Sequence, residues 1–143
     1  MEKIRIKMKR LYENVKVPIY ATSGSAGFDF YSFEDVVLLP GETKKVSTGV
    51  SVEIPFGFYL RIEDRSGLAF KGVHKVAGII DSDYRGEIFI VLHNASGESF
   101  MIEKNDRIAQ GILSPVFQTE FSEVEELSET ERNKGGFHST GRK

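Results

Sequence analysis

The 143-residue chain contains no cysteine, which removes disulfides, thiolate metal sites and thiol nucleophiles at once. Proline occurs only four times against fourteen glycines, so most tight turns must be made by glycine. No apolar run approaches the length that crosses a bilayer. The first residues, Met1-Glu2-Lys3-Ile4-Arg5-Ile6-Lys7, alternate charge with aliphatic side chains where a signal peptide would be continuously apolar. The expectation is a soluble, cytoplasmic protein with no membrane partner. His74, His93 and His138 are scattered singly, which offers no zinc motif. No G-x-S-x-G elbow exists, so acyl transfer has no nucleophile. A formal net charge of -2 gives no overall attraction to nucleic acid, and any polyanion must be held by local groups.

What is present is globular composition, with 40% hydrophobic and 28% charged residues, enough for one domain with a core. Ile4, Ile6 and Met8 alternate with Arg5, Lys7 and Lys9, the period of a strand with one wet face. Further strands are expected at 36–39, 46–54, 58–63, 73–80, 87–93, 100–102 and 107–113, punctuated by Pro40-Gly41 and Pro55-Phe56-Gly57. Ile88-Phe89-Ile90-Val91-Leu92 is apolar on both faces, the pattern of a doubly buried strand. Short strands at regular spacing with no convincing amphipathic helix predict an all-β sandwich or barrel. Residues 1–122 would form this body. The acidic, aperiodic stretch from Glu123 to Glu131 is a connector to the basic, glycine-rich end, so that 123–143 form an arm.

Three polar interruptions carry candidate chemistry. Asp81 follows Gly78-Ile79-Ile80 and precedes Ser82-Asp83-Tyr84-Arg85-Gly86-Glu87; the stretch is either an ordinary turn between two strands or a functional loop on a rigid frame. Its carboxylate is expected to lie against apolar surface. Arg65-Ser66-Gly67 sets a guanidinium, a hydroxyl and a glycine amide in succession, which suits phosphate, or else is a solvated turn. Gln110 stands inside an apolar run, so it is a satisfied core amide or a ligand donor. Asp29, between Phe28 and Phe30, is a loop cap or a group aimed at a site, the cap being the simpler reading. Asn94-Ala95-Ser96 fits the glycosylation pattern but reads more simply as a turn. A lone Phe137 in a polar tail favours docking onto a ligand or another chain.

In this order the stretches resemble the five motifs of the trimeric dUTP pyrophosphatases (dUTPases). They are Ser25-Ala26-Gly27-Phe28-Asp29-Phe30; Arg65-Ser66-Gly67-Leu68-Ala69; Ala77 to Glu87; Asp106-Arg107-Ile108-Ala109-Gln110; and Arg132 with Gly135-Gly136-Phe137 and Ser139-Thr140-Gly141. Coverage runs from about Pro18 to Gly141, and the third motif is the most specific. The resemblance implies a jelly-roll-like β-barrel with a flexible C-terminal arm, assembled as a homotrimer whose three active sites each draw on all three chains. It also implies magnesium-dependent hydrolysis of dUTP to dUMP and pyrophosphate, limiting uracil in DNA and supplying dUMP for dTTP synthesis. By the same resemblance Asp81 activates water at the α-phosphorus, and Tyr84 lies beneath the deoxyribose. Backbone from about Val73 through Gly78 and Ile80 bonds uracil, and Arg65, Ser66, Gly67 and Gln110 hold phosphates. Asp29 positions Mg2+ through water, Phe137 covers the base, and Arg132, Ser139 and Thr140 contact the terminal phosphate.

Four positions depart from the family pattern. Asp64 stands where proline is usual and would place a carboxylate beside the phosphates. Gly111 replaces a larger aliphatic, which predicts a packing gap. Asn133 and His138 replace glycines of the arm, which predicts stiffening or an added donor. Two other functions share the same barrel: dCTP deamination, for which no acid and base pair can be nominated here, and a non-enzymatic nucleotide sensor, which has no need of Asp81.

Overall fold

Alternating apolar side chains bring strands from across the chain onto one core, and the longest of those strands is bent to serve two neighbours. The computed structural model describes residues 3–136. Within them lie β1 (Lys7–Arg10), β2 (Phe28–Tyr31), β3 (Val36–Leu38), β4 (Thr43–Glu53), β5 (Phe58–Glu63), α1 (Ser66–Phe70), β6 (Val73–Lys75), β7 (Ile79–Ile80), β8 (Glu87–Asn94), β9 (Phe100–Ile102) and β10 (Arg107–Pro115). Hydrogen bonding arranges them as β1-β4-β8-β6, β2-β10-β5-β7 and the two-stranded β3-β9. The fold is all-β and jelly-roll-like, as expected. Among the described residues its strands form three sheets around the core and do not close into one hydrogen-bonded barrel.

β4 pairs with β8 through its first half and with β1 through its second, and the ladder to β8 shifts between Ser47 and Ser51. Gly49 makes that bulge possible, with φ at +70 and its would-be Cβ position 2.6 Å from a Val15 methyl. Any side chain there would be strained and would strike the core. Phe30, Leu38, Val46, Leu60, Ile88 and Ile90 lie at 0 or 1% exposure, a single core of the kind that supplies most of a domain's stability.

Several sequence expectations change here. The N-terminal strand begins later than predicted, at Lys7, and all four of its residues are exposed. β8 buries Ile88, Ile90 and Leu92 fully but only half-buries Phe89 and Val91, so it has one core face; the Lys45 ammonium sits 4.6 Å from the Phe89 ring centre on the other. Gly111 leaves no gap, because a Cβ there would come within 2.8 Å of both the Phe28 and Phe30 rings. Asn94 is fully buried and spends its amide on Leu38, Glu98 and Ser96, which bears out the turn. The two histidines His74 and His93 are cross-strand partners with ring centres 5.6 Å apart. No third ligand joins them, since no group of three metal-binding side chains occurs among the described residues.

Candidate active site

Two clusters of site residues form, at opposite ends of β5. The first lies where β5 leads into α1 and where β10 runs beside β2. Gln110 is the cross-strand neighbour of both Asp29 and Glu63, so these ladders fix the cluster before any side chain is considered. Asp29 is 8% exposed. Its Oδ1 lies 3.2 Å from Arg65 Nε and its Oδ2 3.4 Å from Arg107 Nη1. Arg65 Nη1 also donates to the Arg107 carbonyl at 3.3 Å. The Asp29 carboxylate is therefore no loop cap; it holds two guanidiniums together that would otherwise repel. Nothing in the sequence around Arg107 marks it as a site residue except its place in the fourth motif.

Gln110 Nε2 donates to the Asp64 carbonyl at 2.8 Å, and the Asp64 carboxylate accepts the Lys75 amide at 2.6 Å. The acid expected beside the phosphates thus turns away and ties β5 to β6. In α1 the first helical bonds are Leu68 and Ala69 N–H to the Arg65 carbonyl, which leaves the Ser66 and Gly67 amides without partners inside the turn. A cavity of about 360 Å³ opens here, walled by Arg65, Gly67, Lys71, Asp106 and Arg107 over a floor that includes Phe100 and Ile108. Three cations and one carboxylate line it, and with Asp29 behind the two arginines the local balance still leaves one positive charge in excess, which favours anions.

The second cluster is the loop between β7 and β8. The expected single strand over 73–80 does not exist: β6 pairs with β8, and β7 pairs with β5 in the other sheet. The break comes at Gly78, whose carbonyl accepts the Ile62 amide at 2.7 Å. A Cβ there would stand 2.7 Å from the Ile62 carbonyl oxygen, so only glycine allows this approach. Asp81 follows directly and is exposed, contrary to the expectation of an apolar seat. Its carboxylate enters none of the side-chain hydrogen bonds or ion pairs among the described residues, while its carbonyl accepts the Tyr84 amide. Tyr84 is 41% exposed and its hydroxyl donates to the Glu87 carbonyl at 2.8 Å. Arg85 folds back onto the Ser82 and Tyr84 carbonyls.

Gly78, Ile80, Asp81 and Tyr84 take no part in lining the cavity. Ile80 pairs with Leu60, whereas Arg65 lies beyond the far end of β5, so Asp81 and Arg65 stand roughly 20 Å apart along the strand direction. In the arm, Arg132 Nε donates to the Gly135 carbonyl at 2.9 Å, and Asn133 exchanges bonds with Thr130. Asn133 adopts φ +42, a left-handed conformation asparagine tolerates well in place of glycine. Phe137, His138, Ser139 and Thr140 lie outside the described residues.

Architecture and cavity together define an all-β, jelly-roll-like protein with a cation-walled pocket at the end of its central strands. The dUTPase family model matches residues 13–141. The deoxyuridine 5'-triphosphate nucleotidohydrolase of Nautilia profundicola is 51% identical over 97% of this chain and 100% of its own, and that of Hydrogenobaculum sp. is 46% identical over 98% and 100%. Among solved structures, the Staphylococcus bacteriophage 80alpha dUTPase with dUPNHPP aligns at TM-score 0.90 and 30% identity, covering 97% of this chain and 99% of that one. A mutant dUTPase from phage phi11 of S. aureus, described with a structural Mg(II) ion, aligns at 0.81 and 27% identity over 88% and 100%. The chain belongs to the dUTPase family.

Proposed function

We propose that this chain hydrolyses dUTP to dUMP and pyrophosphate in the cytoplasm, with Asp81 as the base that orients and activates the attacking water. The observation that carries the mechanism is the Asp29–Arg65–Arg107 cluster at the mouth of the cavity, set against an exposed Asp81 whose carboxylate meets no hydrogen-bond or ion-pair partner among the described residues. Phosphoryl chemistry asks little covalent help of a protein and depends on in-line positioning and charge neutralisation. Arg65, held by Asp29, and the Ser66 hydroxyl and Gly67 amide supply donors to phosphate oxygens. Arg107 adds a second guanidinium, and Gln110 keeps the end of β5 in register through Asp64.

Tyr84 would form the floor beneath the deoxyribose, and the backbone at Gly78 and Ile80 would face uracil. Phe137 would close over the base while Arg132, Ser139 and Thr140 reach the terminal phosphate. With Asp81 and Arg65 of one chain roughly 20 Å apart along the strand direction, a site shared between chains would bring the base of one copy to the arginines of another, as in the homotrimer that the family resemblance implies. The exposed Phe117, Phe121 and Leu127, each above 85%, are apolar side chains that a neighbouring copy would cover.

Magnesium fits this site as a passenger of the triphosphate. The described residues offer no cage of carboxylates, and both Asp29 oxygens already serve arginines. A carboxylate oxygen retains a further lone pair for a metal-bound water, so Asp29 would hold the ion at one remove. When bound, magnesium would neutralise charge on the phosphates.

A panel of dUTP, dTTP, UTP and dCTP with magnesium tests the reading. Pyrophosphate release should be confined to dUTP, with no ammonia from dCTP. Ammonia release would instead favour a deaminase, and binding without turnover would favour a sensor.

A further inference from the structure

Glu87, the first residue of β8, is a junction that the reaction scheme leaves without a role. Its Oε1 accepts the Gly49 amide at 2.8 Å and the Ser47 hydroxyl, so the carboxylate fills the β4 bulge and supplies the acceptor its opened ladder lacks. Its Oε2 faces the Tyr12 hydroxyl at 3.5 Å, and Tyr12 stacks on Phe33 with ring centres 5.0 Å apart. The Leu11 amide donates to the Gly49 carbonyl from the same segment. On its main-chain side, the Glu87 carbonyl receives the Tyr84 hydroxyl at 2.8 Å. The Tyr84 ring is folded over Gly86, where a Cβ would stand 2.5 Å from that hydroxyl oxygen.

We propose that Glu87 is a positioning residue for sugar selection, its carboxylate in the β4 bulge fixing the carbonyl on which Tyr84 is anchored. This rests on the reading of Tyr84 as the floor beneath the deoxyribose. Steric refusal of a 2'-hydroxyl needs a wall that does not retreat, and the Tyr84 ring, on an exposed loop, is tied through its hydroxyl by one hydrogen bond among the described residues. That bond ends on a backbone atom whose own position is set by β8 meeting β4. Removing the carboxylate leaves the Gly49 amide without its acceptor and frees the start of β8 to move with the ring.

The test compares kcat/KM for dUTP and for UTP in the wild type, Glu87→Ala, Glu87→Gln and Tyr84→Ala. Glu87→Ala should lower the preference for dUTP about tenfold or more, the scale on which a pocket discriminates a single small group. Glu87→Gln keeps an acceptor at Oε1 and should restore most of the preference, which a loss of stability alone would not predict. If Tyr84→Ala lowers the preference and Glu87→Ala does not, the proposal is overturned while Tyr84 keeps its role. If Tyr84→Ala leaves the preference intact, the reading of Tyr84 itself fails and the proposal goes with it. Should Glu87→Ala not fold, Tyr84→Phe cuts the anchor alone; an unchanged preference there also overturns the proposal.

Discussion

Asp81 owes its availability to the residue three places before it. Gly78 packs its backbone against Ile62, which turns the chain from one sheet to the other and delivers Asp81 to the surface with its carboxylate unspent among the described residues. A positioned general base contributes about 10²- to 10⁴-fold in rate, the role proposed for Asp81. Asp81→Asn should therefore lower kcat by that order while leaving KM for dUTP nearly unchanged, read by steady-state pyrophosphate release. A parallel rise in KM would assign Asp81 to binding. Arg65 and Arg107 are charges of a different kind, each restrained by Asp29, and on the proposed reading they would hold the polyanion still.

The elements show what sequence could and could not reveal. Asp81 and Tyr84 stand out in the sequence as candidates because the turn that joins them is local, the Tyr84 amide meeting the Asp81 carbonyl, and Arg65-Ser66-Gly67 stands out by composition alone, its partners Asp29 and Arg107 coming from far along the chain. Arg107 and Glu87 do not, since Arg107 meets Asp29 from 78 positions away and Glu87 meets Ser47 from 40. The stretch 73–80 has the composition of one strand, yet Gly78 divides it between two sheets, a tertiary choice that periodicity does not contain. Edge strand β1 also depends on a distant residue. Lys7 donates to Glu53 at 2.7 Å, and that hydrogen bond, followed by the attraction of the two charges, lowers the Glu53 pKa. A lowered carboxylate pKa stabilises above the ordinary glutamate range, and the contribution fades as pH falls through the lowered value. Amide protection in β1 should accordingly decline at acid pH in the wild type and show a flatter dependence in Lys7→Met, measured by hydrogen exchange.

For the whole molecule, β5 separates the Asp29–Arg65–Arg107 cluster from Asp81, so on the proposed reading one chain would hold two incomplete halves of different sites. Closed symmetry resolves this if each site takes its base and its arginine from different copies. The most direct measurement mixes two inactive variants, Asp81→Asn and Arg65→Ala, by joint unfolding and reassembly. Random association of equal amounts should rebuild intact sites in about a quarter of positions, and dUTP hydrolysis should return to near that fraction of the wild-type rate. A mixture as inactive as its parts, assembled into the same oligomer, would contradict the account.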